Sequence, residues 1–228
     1  MLHQTKAVIF DMDGVIIDSE PLWRIAMIKG FSNCGINFTE EDCVKTTGMR
    51  LNEVILFWQK LYPNEIKSAQ ALNQQILKNL IELIENSGKE QPGLHELLTN
   101  LKEQKIKIGL ATSSDEILVE VILKHLNIKK YFDGIVSAQF LNYGKPHPEV
   151  YLKCAETLNL NPVECIAIED SVNGIISAKA AQMFVIGMPD HTQTNNQRFL
   201  VADKLVSNLS EANSFIMKNI DVTLQSGV

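Results

Sequence analysis

Residues 6–20 read KAVIFDMDGVIIDSE, an apolar run followed by Asp11 and Asp13 on either side of a methionine and then by Gly14. The apolar run is typical of a buried parallel strand, and the acids and glycine are typical of its end. Ligands of open α/β sheets bind beyond the carboxyl ends of the strands, so both carboxylates are expected at one mouth of the sheet. Two acids in that position favour phosphoryl transfer, because one can attack phosphorus while the other moves protons.

Further apolar runs repeat the pattern of the first strand, which is expected over Lys6–Phe10. They are Ile106–Ala111, Gly134–Ser137, Cys165–Ile168 and Met183–Gly187. Stretches with helical spacing separate these runs. This alternation predicts an α/β fold with a doubly wound, Rossmann-like parallel sheet.

Residues 19–91 interrupt the alternation, because they contain helical patterns and no convincing strand. The expected helices are Glu20–Cys34, Leu51–Leu61 and Asn64–Asn86. Another helix is expected to begin at Thr39, because three acids follow it and acids favour a helix N-terminus. We therefore predict an all-helical cap, residues 19–91, inserted into an α/β core made of residues 1–18 and 92–228.

The composition of the chain excludes several classes of protein. Its 228 residues are 45% hydrophobic and 21% charged, with a net charge of −6, which disfavours nucleic acid as a partner. No apolar stretch approaches the roughly 20 residues that cross a bilayer, and no signal peptide is recognised, so we expect a cytoplasmic protein with no membrane partner. Four cysteines without a C-x-x-C pair predict buried, reduced thiols. The sequence does not define the oligomeric state and is compatible with a monomer.

The D-x-D pair alone is ambiguous, because such pairs also occur in solvated turns and helix caps. A calcium-binding loop is excluded, since it needs a ligand and then a glycine where Val15 and Ile16 stand. The choice between the other interpretations therefore depends on the remaining motifs.

Thr112, Ser113 and Ser114 come directly after the second predicted strand. Their hydroxyls and the nearby backbone N–H groups are suited to holding phosphate oxygens. Ser and Thr in this position equally favour a helix cap, so the motif by itself leaves both interpretations open.

Lys145 stands in the string GKPHP, where two prolines restrict the backbone on its C-terminal side. A lysine held in this way can supply a catalytic charge, although most lysines in loops are only solvated. A P-loop is excluded, because it needs glycine at Gln139 and Ser or Thr at Pro146.

Glu169 and Asp170 end the run AIED, which repeats the pattern of an apolar strand followed by acids. Adjacent carboxylates repel each other, and each is better tolerated beside a cation. A hard divalent ion with oxygen ligands is the cation that this arrangement favours.

Taken in chain order, these four motifs resemble those of the haloacid dehalogenase superfamily. The matching strings are FDMDGVIIDSEP, GLATSS, KPHPEVY and AIEDSVNG, and the resemblance covers essentially the entire chain. The insert between the first and second strings resembles the small helical cap of the β-phosphoglucomutase-like branch. Dehalogenases are disfavoured because they use one Asp and no metal, whereas this chain keeps Asp13 and the Glu169–Asp170 pair.

The resemblance implies a role for each motif residue. Asp11 is expected to be the nucleophile that forms an aspartyl phosphate, and Asp13 the general acid and base. The residues expected to bind the phosphoryl group are Thr112, Ser113, Ser114 and Lys145, with Thr112 and Lys145 counted as catalytic. The expected ligands of a magnesium cofactor are Asp11, the backbone carbonyl of Asp13, Asp170 and Glu169, the last bound directly or through water.

The cap is expected to distinguish a phosphatase from a mutase. β-Phosphoglucomutase has a histidine twelve residues after its nucleophile, where this chain has Trp23, which cannot accept a proton. The string DSEPLW resembles instead the hexose and hexitol phosphate phosphatases similar to 2-deoxyglucose-6-phosphate phosphatase. Arg50 matches a mutase arginine that holds the second phosphate, so the mutase stays an alternative. A non-catalytic interaction protein is disfavoured, because the motif residues are intact.

We therefore predict a phosphoric monoester hydrolase acting on a small phosphorylated metabolite, most simply a sugar or sugar-alcohol phosphate. Glu20, Trp23 and Arg50 of the cap are the expected contacts to the remainder of the substrate.

Overall fold

The computed structural model describes residues 5–190, Gln193 and residues 196–220. Its strands are β1 (Ala7–Phe10), β2 (Lys107–Thr112), β3 (Gly134–Ser137), β4 (Cys165–Glu169), β5 (Phe184–Gly187) and β6 (Lys204–Leu205). They form one sheet in the order β3-β2-β1-β4-β5-β6, and every neighbouring pair is parallel. The strand order runs outward in both directions from β1 and β4, which confirms the predicted doubly wound sheet.

The helices are α1 (Glu20–Asn33), α2 (Glu40–Val44), α3 (Leu51–Leu61), α4 (Ala69–Ser87), α5 (Leu94–Glu103), α6 (Glu116–His125), α7 (Glu149–Thr157), α8 (Val172–Ala180) and α9 (Leu209–Asn219). Short 3-10 turns lie at Lys129–Tyr131, Ala138–Phe140, Pro162–Glu164 and Gln197–Val201.

The two faces of the sheet are both covered, as the continuous apolar runs require. Val8 and Phe10 of β1 pack into one buried cluster, and Ala7 and Ile9 pack into another on the opposite face. Successive side chains of a strand alternate between faces, so one short run supplies both layers of the core. Strand β6 was not predicted, because it has two half-buried residues and no apolar run.

The segment from α1 to α4 contains the predicted helices. The predicted start of α2 is confirmed, because the Thr39 hydroxyl accepts a hydrogen bond from the Asp42 backbone N–H in a capping box. Helix α4 begins five residues later than predicted, because the Ser68 hydroxyl caps it by accepting from the Ala71 N–H. Gly30 of α1 lies against Ile76 of α4, where a Cβ would overlap the isoleucine. The division into a cap of residues 19–91 and a two-segment core stays a prediction.

The chain leaves and re-enters the core along two adjacent segments. Ile17 bridges to Glu90, and the Gln91 side chain donates to the Gly14 carbonyl at 2.9 Å. Gly14 has a φ of +73°, and a Cβ there would overlap Asp170. Glycine is therefore required at this position both for the turn and for the close approach of the carboxylate. In the part of the chain that the structure describes, none of the helices is long and apolar enough to cross a membrane.

Candidate active site

Three carboxylates meet at the carboxyl edge of the central strands. Phe10 pairs with Leu110 and Ile168, so the residues that follow on the three strands, Asp11, Ala111 and Glu169, lie side by side. Asp170 continues from β4, and its carboxylate oxygen lies within 4.8 Å of those of Asp11 and Glu169. This is the position that the sequence predicts for a ligand site of an open α/β sheet.

Lys145 lies across this row of strand ends. Its Nζ donates to Asp11 Oδ1 at 2.8 Å, to Glu169 Oε1 at 2.6 Å and to the Ala111 carbonyl at 3.1 Å. These bonds use all of the donors of an ammonium group. The Lys145 side chain is 1% exposed and does not line the cavity described below. Lys145 therefore contacts Asp11, the candidate nucleophile, from the buried side.

Burial sets the electrostatics of this cluster. It raises the pKa of Asp11 to about 7, against the lowering effect of Lys145 and with the help of Glu169 and Asp13. Burial also raises the pKa of Asp170 well above its ordinary value. Burial alone would lower the pKa of Lys145, but the two carboxylates beside it raise that pKa instead. Asp11 and Asp170 therefore tend to keep their protons when Lys145 is the only cation beside them. A divalent ion bound to these carboxylates would favour their ionised form and release the protons.

The donor set fits magnesium. The cluster offers carboxylate oxygens, the ligands that hard divalent cations prefer. Asp170 is 6% exposed, lines the cavity, and accepts no hydrogen bond from any residue within the described ranges. A buried carboxylate without donors is costly, and a cation is the partner that it lacks.

Glu169 differs from Asp170 because both of its oxygens are already engaged. Oε1 accepts from Lys145 and from the Tyr151 hydroxyl at 2.6 Å, and Oε2 accepts from the Ser171 N–H and hydroxyl at 3.3 and 3.2 Å. Its carboxylate also fits against Gly174, where a Cβ would overlap it. Glu169 is thus fixed mainly as a partner of Lys145.

Asp13 receives hydrogen bonds from both parts of the molecule. Its Oδ1 accepts from the Ser19 hydroxyl at 2.7 Å and from Trp23 Nε1 at 2.8 Å. Its Oδ2 accepts from the Ser114 hydroxyl at 2.6 Å. Ser114 follows a core strand and Trp23 belongs to α1, so the orientation of Asp13 depends on the contact between the two.

The three hydroxyl residues at the end of β2 do not cap the following helix. Helix α6 begins at Glu116 after Asp115, whose side chain makes no capping bond, and the Glu116 backbone N–H donates instead to Gln139 Oε1 at 2.9 Å. The Thr112 hydroxyl accepts from the Ser114 N–H at 3.0 Å, and the Ser113 hydroxyl donates to the Gly48 carbonyl at 3.0 Å. All three hydroxyl residues line the cavity, so the interpretation as a helix cap is the one that the structure does not support.

A cavity extends from Asp11, Asp13 and Asp170 towards the helical segment. One face of α1 forms part of its wall, with Glu20, Trp23, Arg24 and Met27. This spacing of three and four residues places side chains on the same side of a helix. The structure thus brings Glu20 and Trp23 to the cavity, as predicted, although their contact with substrate stays a prediction.

Arg50 is not brought to this cavity. Its Nη1 donates to the Ala138 and Leu141 carbonyls at 3.1 and 2.8 Å, and its Nη2 pairs with Glu53. Its guanidinium instead joins the helical segment to the core, and the expectation that Arg50 contacts substrate stays a prediction. The arginine on the cavity wall is Arg24.

Three residues of the site were not found from the sequence: Ser19, Arg24 and Tyr151. Ser19 precedes α1 in the manner of a helix cap, but its hydroxyl donates to Asp13. Arg24 follows Glu20 by one helical turn. That spacing could have indicated that Arg24 lies on the same face of the helix as Glu20. Tyr151 stands in the third motif, and only the fold shows that its hydroxyl reaches β4.

A doubly wound sheet with a helical insert and a carboxylate cluster at the strand ends defines a capped α/β enzyme. The chain belongs to the haloacid dehalogenase-like hydrolase family, whose model matches residues 8–188.

Hexitol phosphatase B of Escherichia coli (strain K12) is 38% identical over 210 residues, which cover 92% of this chain and 95% of that protein. Beta-phosphoglucomutase of Bacillus subtilis (strain 168) is 34% identical over 212 residues, 90% of this chain and 91% of that protein. Among solved structures, beta-phosphoglucomutase from Clostridium difficile is 28% identical with a TM-score of 0.78, covering 94% of this chain and all of that one. These findings confirm the predicted family, fold class and enzyme class.

Proposed function

We propose that this protein is a magnesium-dependent phosphatase that hydrolyses phosphate monoesters of sugars or sugar alcohols. One observation carries the proposal. Asp11 and Asp13 reach one cavity from the end of β1, while Lys145 is bonded to Asp11. That arrangement supplies, in one cavity, a nucleophile to attack phosphorus and an acid to protonate the leaving oxygen.

In the first step, an Asp11 carboxylate oxygen attacks phosphorus and the bond from phosphorus to the sugar oxygen breaks. The Lys145 ammonium fixes the orientation of Asp11 through Oδ1. Asp13 gives a proton to the departing oxygen, and the product is an aspartyl phosphate and a free hydroxyl. One difficult displacement is thereby divided into two easier ones.

In the second step, water attacks the phosphorus of the aspartyl phosphate, and Asp13 takes a proton from that water. Asp11 is regenerated and inorganic phosphate leaves, so the proton that Asp13 donated is restored. Thr112, Ser113 and Ser114 line the cavity beside Asp13. The Thr112 hydroxyl and the Ser113 backbone N–H would donate to the phosphoryl oxygens, because the two serine hydroxyls already donate to the Gly48 carbonyl and to Asp13.

Magnesium would be held by Asp11, Asp170 and the backbone carbonyl of Asp13. Glu169 would act through water, because both of its oxygens already accept hydrogen bonds. When bound, the ion offsets the repulsion between an anionic nucleophile and an anionic phosphate.

The choice of a phosphatase over a mutase is supported by Trp23, whose Nε1 donates to Asp13 and which cannot itself accept a proton. The hexitol phosphatase named above is also the more similar of the two curated relatives compared. A small phosphorylated metabolite as substrate and a cytoplasmic location belong to the same proposal.

The test is release of inorganic phosphate by the purified protein, with and without magnesium. The substrates are p-nitrophenyl phosphate, glucose 6-phosphate and sorbitol 6-phosphate. We expect magnesium-dependent release from all of them, abolished by EDTA. No release from any of them in a metal-replete assay would overturn the proposal.

Beta-phosphoglucomutase activity is the second candidate, favoured by the 34% identity to the Bacillus subtilis enzyme. β-Glucose 1-phosphate separates the two. A phosphatase yields glucose and phosphate, whereas a mutase yields glucose 6-phosphate.

A further inference from the structure

The polar face of α1 has no assigned role in the phosphoryl transfer described above. Glu20 and Arg24 lie one helical turn apart on this face, and both line the cavity that holds Asp11 and Asp13. Their side chains are 19% and 16% exposed, so they lie in the wall of the cavity and do not extend into bulk water.

The Arg24 guanidinium has charged neighbours but no hydrogen bond to any residue that the structure describes. Its Nη2 lies 3.7 Å from Glu20 Oε2 and 4.0 Å from Asp190 Oδ1. Both distances exceed a normal N–H···O bond of about 2.7–3.2 Å. A largely buried guanidinium offers five donors, and leaving them unbonded is costly, so ligand oxygens at this wall would be stabilised.

Glu20 supplies the complementary acceptor. Burial raises the pKa of Glu20 to about 7, with Asp13 adding to the rise and Arg24 opposing it. A sugar hydroxyl both donates and accepts, so it is matched by a carboxyl oxygen beside a guanidinium. The pair therefore suits vicinal hydroxyls better than it suits an apolar group.

The charge around Arg24 disfavours a second phosphate. Asp13, Asp190 and Asp18 all act to raise the pKa of Glu20, so this end of the cavity is dominated by carboxylates. A dianionic group placed against Arg24 would also lie near the carboxylates of Glu20 and Asp190, which are 3.7 and 4.0 Å from Nη2. Repulsion between like charges in a partly buried site would offset the attraction.

The rest of the wall on this side is mostly apolar, with Thr46 and Thr47 as its polar members. The apolar residues are Met27, Cys43, Met49, Leu51, Val54 and Leu77. A polyol or sugar presents C–H groups as well as hydroxyls, and these can pack against such a wall.

We propose that Glu20 and Arg24 form the specificity site of this enzyme, binding hydroxyls of a phosphate monoester whose remainder is uncharged and rejecting bisphosphates. The inference rests on the proposed phosphatase activity and narrows its substrate class.

The first test compares Arg24→Met with Lys29→Met, which changes an exposed lysine on the same helix. For each protein, kcat/KM is measured with sorbitol 6-phosphate and with p-nitrophenyl phosphate, which has no hydroxyl to recognise. We expect Arg24→Met to lower the ratio of the first to the second by about 10–100-fold, the range for hydrogen bonds to a charged group. Lys29→Met is expected to keep the wild-type ratio.

The second test measures the preference for fructose 6-phosphate over fructose 1,6-bisphosphate. At pH 8, above the pKa of about 7 of Glu20, we expect the wild type to prefer the monophosphate at least about tenfold in kcat/KM, and Glu20→Gln to reduce that preference about fivefold by removing a repelling charge. A ratio is used so that any common effect of Glu20 on Asp13 cancels. Equal or better use of the bisphosphate by the wild type would overturn the inference.

The outcomes separate this inference from the proposed activity. If the wild type hydrolyses neither sorbitol 6-phosphate nor p-nitrophenyl phosphate, the proposed phosphatase fails. If it hydrolyses both and Arg24→Met leaves the ratio unchanged, only the specificity site fails. Should Arg24→Met not fold by circular dichroism, Arg24→Lys replaces it. That variant keeps the charge but loses the planar fork, and we expect its ratio to fall about fivefold.

Discussion

The core half and the cap half of the cavity each contain a largely buried cation, and the two cations differ in their hydrogen bonding. Lys145 in the core is 1% exposed and donates to Asp11, Glu169 and the Ala111 carbonyl. Arg24 in the helical insert is 16% exposed, and its nearest charged partners among the described residues are carboxylates at 3.7 and 4.0 Å. The three hydrogen bonds of Lys145 fix its position and that of Asp11. The N–H donors of Arg24 remain available for a ligand in the proposed specificity site.

The two arginines of the insert extend this comparison. Arg50 Nη1 donates hydrogen bonds to two core carbonyls, so this residue joins the insert to the core. Arg24 faces the cavity and makes no such bonds to the residues that the structure describes. Two arginines of the same segment thus differ in role: Arg50 stabilises the contact between insert and core, and Arg24 is available to a ligand. Their hydrogen-bond partners, and not their residue type, distinguish the two.

The largest expected effect comes from removing the nucleophile in the core half. We expect Asp11→Asn to lower kcat/KM for sugar phosphates at least about a thousandfold, because an amide cannot form the aspartyl phosphate. Phosphate release in saturating magnesium measures it. The control is Glu120→Gln, the same exchange on an exposed carboxylate. Turnover of Asp11→Asn within tenfold of wild type would contradict the assignment.

Removing the fixed cation should damage folding as well as activity. We expect Lys145→Met to lower the free energy of unfolding by about 3–5 kcal/mol, because Asp11 and Glu169 lose their buried partner. Urea denaturation in EDTA at pH 8 measures the loss, with the surface variant Lys153→Met as control. The double variant Lys145→Met/Glu169→Gln should recover part of it. A single variant as stable as wild type would show that the cluster is not held by Lys145.

The link between the two halves is the bond from Trp23 to Asp13. We expect Trp23→Phe to lower kcat about tenfold and to change KM less, because Asp13 loses one of its donors. Trp58→Phe is the matched control, since its indole N–H has no partner among the described residues. If both variants keep the wild-type kcat, the bond does not position Asp13.

The pH dependence of stability tests the electrostatics of the metal-free cluster. The pKa of Asp11 is raised from 3.8 to about 7, so the folded protein binds a proton that the unfolded chain releases. Between about pH 4 and pH 7 the contribution of Asp11 should therefore lower the free energy of unfolding as the pH rises, by up to about 1.4 kcal/mol per pH unit, and the raised pKa values of Glu20 and Asp170 act in the same direction. Urea denaturation in EDTA measures this slope, and Asp11→Asn should reduce it. An equally steep slope in that variant would assign the effect to other groups.

The smallest expected effect concerns Arg50. Arg50 joins the insert to the core through the Ala138 and Leu141 carbonyls. Arg50→Met should therefore loosen the wall that the insert adds to the cavity and raise KM about three- to fivefold for mono- and bisphosphates alike. The exposed Lys45→Met serves as control. A loss confined to bisphosphates would restore the sequence-based expectation that Arg50 holds a second phosphate.

Local patterns account for the parts of this protein that were predictable. Strand β3 and helix α3 have the predicted bounds, because each is a short apolar or amphipathic run between clear breaks. Asp11 and Glu169 could be placed at strand ends for the same reason. Strand β6 was not predicted, because its two residues are too few to show an apolar run or an alternation. They form a strand because they pair with β5.

The amino-acid sequence by itself determined the order of strands and helices, the acids at the strand ends, and the set of residues that share a face of α1, since these depend on neighbours in the chain. Tertiary structure alone decided that Lys145 bonds to residues 134 and 24 positions away, and that Arg24 faces the cavity while Arg50 faces core carbonyls. A side chain's partners across the fold depend on how the elements pack, and local periodicity carries no record of that packing.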